Sequence, residues 1–148
     1  VVFVLLAATC VAVAAGEPTE TLPGEPAPHQ VVAELETTLR HAVGRFEQMD
    51  ATGVLAHISD RYRTGPLTKP AVHQQLLTIF AAHETLRARV RIDEVRMIGD
   101  RAWVYSSGDV SGRLRLLGTP VVLWSWTRAP EVAWREDGRW RLIGDQQP

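Results

Sequence analysis

The chain has 148 residues, with 16 basic and 17 acidic side chains. That is one domain's length, enough to bury a core without disulfide staples. The near-neutral balance argues against nucleic acid as a main partner. The single cysteine, Cys10, lies near the N-terminus, so the rest of the chain can form neither an internal disulfide nor a thiolate metal site.

Charge is unevenly placed. Residues 16–60 carry eight acids and two bases, and residues 61–148 carry nine acids and fourteen bases. An acidic half facing a basic half is expected to add mutual attraction and solubility. All the bases but Lys69 are arginine, and Arg87, Arg89 and Arg91 alternate with apolar residues, the pattern of a solvated sheet face.

Val1 to Ala15 is apolar apart from Thr9 and Cys10. Fifteen residues are short for a membrane span, which needs about 20. The run has the length of a signal-peptide core, and Ala12-Val13-Ala14 supplies a small-x-small cleavage pattern. A truncated secretory signal is expected, with its start methionine and basic region missing. It is cut near Ala14 or Ala15, for export to the periplasm or beyond. Two alternatives stay open: an uncleaved anchor, and a lipoprotein cut before Cys10. Membrane attachment is expected only if the leader is retained or Cys10 is lipidated. Residues 16–28 are rich in Pro, Glu and Gly and read as an extended, mobile linker. Residues 29–148 are the expected domain.

Three helical segments follow. Val32, Leu35, Leu39, Val43 and Phe46 make one apolar stripe and predict a helix over His29–Met49. A short helix over 51–58 follows, with Asp50 as its N-cap. Residues 59–69 read as an extended piece and a turn at Gly65-Pro66. The third helix, Pro70 to His83, buries Val72, Leu76, Ile79 and Phe80, with His83 on the same face.

From Leu86 to Asp145 the pattern predicts four strands. Leu86, Ala88, Val90 and Ile92 alternate with charges, then the phase slips at Asp93-Glu94, which predicts a β-bulge. Gly99-Asp100 is a tight turn into a strand from Ala102 to about Leu116. Gly108 and Gly112 in that strand point to bending or close approach. The next strand carries Val122, Trp124, Trp126, Val132 and Trp134 in one phase, with Pro130 at an edge or bulge. Asp137-Gly138 predicts a hairpin into Trp140–Asp145. Helices followed by antiparallel strands give an α+β fold, three N-terminal helices packed on a strongly bent, mostly antiparallel sheet.

Four segments carry a family resemblance: Phe46-Glu-Gln-Met-Asp50, Ile58-Ser-Asp-Arg-Tyr62-Arg, Leu76-Leu77-x-x-Phe80-x-x-His83 and Arg135-Glu-Asp-Gly-Arg-Trp140-Arg-Leu. Over about residues 30–145 the chain resembles the nuclear transport factor 2-like superfamily, also called cystatin-like or polyketide-cyclase-like cones. More narrowly, it is similar to small exported bacterial members of undefined role. The resemblance implies a cone with a deep pocket and a homodimer, but no particular reaction, because the superfamily holds both enzymes and non-enzymes.

The residues argue against one branch. Steroid-isomerase-like members place a carboxylate base before a proline after the second helix, where this chain has Gly65-Pro66. They use a tyrosine on the first helix, where Ala42 stands. A dehydratase-like reading would use His83, with His57 or His73 near it. An epoxide-hydrolase-like reading would need Asp109, Arg128 and Asp145 to converge. No His-Glu-x-x-His spacing, Gly-rich phosphate loop or nucleophile elbow occurs. The expectation is therefore a cofactor-free, metal-free binding or interaction domain without catalysis. Tyr62, Phe80, His83, Trp103 and Trp124 are its expected pocket lining, with His83 as polar anchor. The bland alternative for His83 is a core histidine bonded to backbone, and for the tryptophans a core or dimer role. Two rivals are a dehydratase or isomerase using His83 with Asp60 or Asp109, and a structural partner domain of an envelope complex.

Overall fold

The computed structural model describes residues 22–144. The expected signal segment 1–15 with Cys10, the first part of the expected linker, and Asp145 lie outside the described residues. The fold is α+β: three helices and a five-stranded antiparallel sheet, with a two-stranded hairpin beside it. No helix among the described residues is long and apolar enough to cross a membrane.

The expected linker ends differently from a free tether. Glu25–Pro26 form a short strand, β1, paired with Met97 and Arg96 at the sheet edge. The guanidinium of Arg96 donates to the carbonyls of Leu22 (3.0 Å) and Gly24 (2.8 Å), and Ala27 N–H donates to Val95 O. Proline and glycine composition foretold extension; these bonds supply the anchoring that composition does not encode.

Helix α1 spans His29–Glu47 and α2 spans Ala51–Leu55. Asp50 caps α2 as expected, accepting from Gly53 N–H at 2.8 Å. α2 stops three residues short of the expected end because Ile58 is claimed by the sheet, where it forms a parallel bridge with Leu142. Strands β2 (Arg63–Thr64) and β3 (Leu67–Thr68) close a hairpin around Gly65, whose φ of +53° suits glycine. Helix α3 spans Lys69–Ala82. His83, expected as its last residue, instead opens β4 (His83–Ile98), with extended dihedrals and a register partner in Leu114.

The sheet order is β1-β4-β5-β6-β7, with β5 Arg101–Leu114, β6 Pro120–Glu136 and β7 Arg139–Gly144. The bulge forms where the phase slips: the β4–β5 register shifts between Ile92 and Glu94, leaving Asp93 as the extra residue. Asp137 (φ 51°) and Gly138 (φ 76°) make the β6–β7 hairpin turn. Pro130 lies beyond the part of β6 that β7 covers, on an open side of the strand among the described residues.

The single-phase reading of β6 does not hold. The β5–β6 register shifts between Ser106 and Gly108 and again between Val110 and Ser111. Each shift resets which side chains point inward. Val122 is 72% exposed, Trp124 and Trp126 are half-buried, and Trp134 is the alternate neighbour of wholly buried Ala133.

Two apolar clusters form the interior. The first joins Phe46, Val54, Ile58, Tyr62, Val72, Leu76, Phe80, Leu86 and Val110. Fully buried side chains of this kind each contribute roughly 1.5–3 kcal/mol. The second joins Leu35, Val95, Ala102, Val104, Ala133 and Trp140. The N-terminal half of α1 packs on the second cluster and its C-terminal half on the first.

Candidate functional site

A cavity of about 60 Å³ lies between α1 and the sheet, where the two clusters meet. Helix α1 supplies Leu35, Thr38, Leu39 and Ala42, and α2 with its following turn supplies Val54, His57 and Ile58. The sheet supplies Val90, Ile92, Val104, Ser106, Glu131 and Ala133, and β7 closes one end with Trp140 and Leu142. The walls are apolar apart from Thr38, His57, Ser106, Glu131 and the indole N–H of Trp140. At roughly 15 Å³ per water, the space holds about four waters, or the end of a small molecule.

Local structure positions the polar groups. His57 follows the short α2, and its carbonyl accepts from Leu142 N–H at 3.1 Å while Ser59 N–H donates to Leu142 O at 2.9 Å. These two bonds fasten the turn to β7. Burial holds the His57 imidazole below the ordinary histidine value, and the nearby charges of His41, Arg45, Arg139 and Arg141 act in the same direction. Glu131 is only 7% exposed, sits opposite Val104 in the register and shares a face with Ala133. Its carboxyl is not isolated.

Outside the cavity is a wider polar groove of about 590 Å³, bounded by α1 and the β6–β7 hairpin. It shares Thr38, His57 and Trp140 with the cavity and adds Glu34, His41, Arg135 and Arg139, among others. Trp140 Nε1 donates to Glu34 at 2.8 Å, Gln30 Nε2 donates to the same carboxylate, and Arg135 pairs with it. The Arg135 guanidinium also lies 4.9 Å from the centre of the Trp140 ring. The bond from Trp140, then those from Gln30 and Arg135, hold the Glu34 carboxyl below the usual range, against partial desolvation.

None of the five expected lining residues faces this cavity. Tyr62, Phe80 and Trp124 come together elsewhere, in the first apolar cluster. Phe80 packs on Phe46 with ring centres 5.6 Å apart, and Tyr62 Oη accepts from Thr64 Oγ1 at 3.0 Å. Trp103 is half-buried and lies in the opposite phase to Ala102 and Val104, so it leaves the inner face. His83 is buried and its Nδ1 lies 2.7 Å from Ile79 O, the core arrangement rather than an anchor.

The expected catalytic pairs do not assemble either. Asp60 is exposed and pairs with Lys69 at 2.7 Å. Asp109 is held by Arg89. Arg128 binds Glu94 and stacks on Tyr105 rather than pairing with Asp109. Of the histidines named with His83, it is His57 that reaches the cavity. Glu131 escaped the sequence reading; its signal is a lone acid two residues before Ala133 in an inward phase. No group of three His, Cys, Asp or Glu side chains among the described residues could hold a metal ion.

No family model and no curated protein matches the chain. Solved structures do. A conserved protein from Planctomyces limnophilus superposes with a TM-score of 0.69 at 14% identity, over 78% of this chain and 93% of that one. A protein provisionally described as a dehydratase of the NTF2-like family, from Streptomyces avermitilis, gives 0.64 at 15% identity, over 78% and 94%. ActVI-ORFA from Streptomyces coelicolor gives 0.64 at 18% identity, over 78% and 92%. The chain has the nuclear transport factor 2-like fold that its motifs resemble.

Proposed function

We propose that the chain is an exported, non-catalytic domain whose sheet curls as a cone around α1 and binds a small apolar or amphipathic molecule in the cavity there. The observation that carries the reading is the cavity's composition: apolar walls, a few polar side chains, and three walls shared with a polar groove. Small-molecule sites are mostly apolar and use few polar groups to fix orientation. The cavity takes the apolar end of the ligand and the groove takes the remainder. His57 and Glu131 replace His83 as the polar anchors. Ala42, on the helix face where a bulkier residue would fill the space, keeps the cavity open.

Binding of 1-hexanol, followed by amide shifts at Leu39, Val104 and Ala133, tests the reading. Shifts in the wild type that vanish in a folded Ala42→Leu variant support it; no shift in the wild type sinks it. Export rests on the apolar run 1–15 and its Ala12-Val13-Ala14 pattern. Native mass spectrometry of the protein purified from the cell envelope tests that part, together with the homodimer that the resemblance implies. Mass lost through Ala14 or Ala15 supports export by cleavage, and a lipid on Cys10 overturns it.

A proton-transfer enzyme is the second reading. It is favoured by two titratable side chains, His57 and Glu131, lining one cavity, and it fits the description of the Streptomyces avermitilis neighbour. A carboxylate base in that place would exchange deuterium into carbons next to a carbonyl. Exchange into small ketones in heavy water that disappears in Glu131→Gln would replace the non-catalytic reading.

A further inference from the structure

We propose that the ligand is an amphipathic acid, with its apolar end in the cavity and its carboxylate at the mouth against Arg139, His57 and His41. The inference rests on the binding reading above and adds the charge of the ligand. Cavity and groove share Thr38, His57 and Trp140, so one molecule can span both.

The charges of the groove decide which head group fits. Glu34 is its carboxylate, and that charge is already matched by Arg135 and by the Trp140 and Gln30 donors. Arg139 is exposed, and among the described residues its guanidinium has no hydrogen-bond or ion-pair partner. His41 lies on the exposed face of α1 and also lacks a side-chain partner. Two further guanidiniums near His57 are already matched, Arg45 by Asp50 and Arg141 by Glu136. The mouth therefore holds, among the described residues, one unmatched guanidinium, that of Arg139, beside an apolar hole. An anion placed there gains a guanidinium partner that displaces no existing contact. The inner end has the opposite character. Its walls are mostly apolar, and a carboxylate placed there would lose its hydration. The two ends together fix direction: apolar end inward, acid outward. A cationic amphipath is the competing occupant.

Three probes of one chain length separate these outcomes: hexanoate, 1-hexanol and hexylamine, each titrated into the full-length protein and followed at the cavity amides. Hexanoate is expected to bind about two- to fivefold tighter than 1-hexanol, the range one exposed ion pair gives. Arg139→Gln should erase that difference and leave 1-hexanol unchanged, and added salt should weaken hexanoate alone. His57→Gln provides a second variant at the mouth. Hexylamine or 1-hexanol binding as tightly as hexanoate overturns the proposal, as does an Arg139→Gln variant with hexanoate affinity intact. If 1-hexanol alone shifts the cavity amides, the acid preference fails and the binding reading stands. If no probe shifts them, both fail.

Discussion

Glu136 is tied to three donors: the hydroxyl of fully buried Ser59 at 2.6 Å, Trp134 Nε1 at 2.8 Å and Arg141 at 3.3 Å. The Ser59 bond most of all, then Trp134 and Arg141, hold its carboxyl below the usual carboxylate value, with burial acting the other way. A depressed carboxyl contributes stability that is fully present above its ordinary value of 4.5 and is lost as pH falls through the folded value. Glu136→Ala strands the Ser59 hydroxyl and the indole N–H. It should cost about 1–3 kcal/mol at neutral pH and flatten the acid limb of stability, read by urea denaturation across a pH series. His57 works from the other side. Its folded value lies below the ordinary 6.5, so the unfolded chain takes the proton first. Its contribution is present above pH 6.5 and declines as pH falls below that toward the folded value. His57→Gln should remove that part of the decline, measured between about pH 7.5 and about pH 5.5.

At the scale of elements, the close approach inside β5 yields a sharp expectation. A Cβ on Gly108 would lie 2.7 Å from the Trp126 ring and also strike the Arg89 carbonyl of β4. The carbonyl belongs to a paired strand and cannot step aside as a side-chain tip could. Gly108→Ala should therefore destabilise by about 1–3 kcal/mol, visible as a lower denaturation midpoint. That glycine, the bulge at Asp93 and the Asp137-Gly138 turn were all legible in the sequence, because each is a local consequence of backbone sterics or a phase slip. The phase of β6 was not. Its two register shifts are set against β5, and a strand read alone carries no mark of where its neighbour bulges. His83 shows the same limit: apolar spacing placed it on a buried face, correctly, but pairing with Leu114 drew it out of α3 into β4. For the site, periodicity finds buried faces without saying which keeps a void. Tyr62 and Phe80 are buried, and Trp124 half-buried, where large side chains fill the space. The void forms instead where small Ala42 and Ala133 line a hollow from elements far apart in the chain. That depends on volumes meeting across the fold, which no spacing records.

Taken as a whole, the molecule holds its cavity at the seam of two apolar clusters, with α1 lying along both. The same side chains therefore serve stability and binding. Leu35 is the clearest case: it is 5% exposed, belongs to the second cluster with Val95, Val104 and Trp140, and forms one wall of the cavity. Leu35→Ala removes packing from a site that already contains a void, so the surroundings have little to collapse onto. The expected cost is about 2–4 kcal/mol, transfer and cavity terms together. A domain of this size has roughly 5–15 kcal/mol in total, so the variant should remain folded at 25 °C with a lowered urea midpoint. The same change enlarges the hole. Longer alcohols than 1-hexanol should then gain affinity, while 1-hexanol itself gains little. Urea denaturation with and without 1-octanol checks both halves at once: a ligand that binds only the folded state raises the midpoint by mass action. A larger 1-octanol stabilisation in Leu35→Ala than in the wild type places the ligand in this seam. Equal stabilisation in both places it elsewhere on the molecule and removes the cavity from the argument.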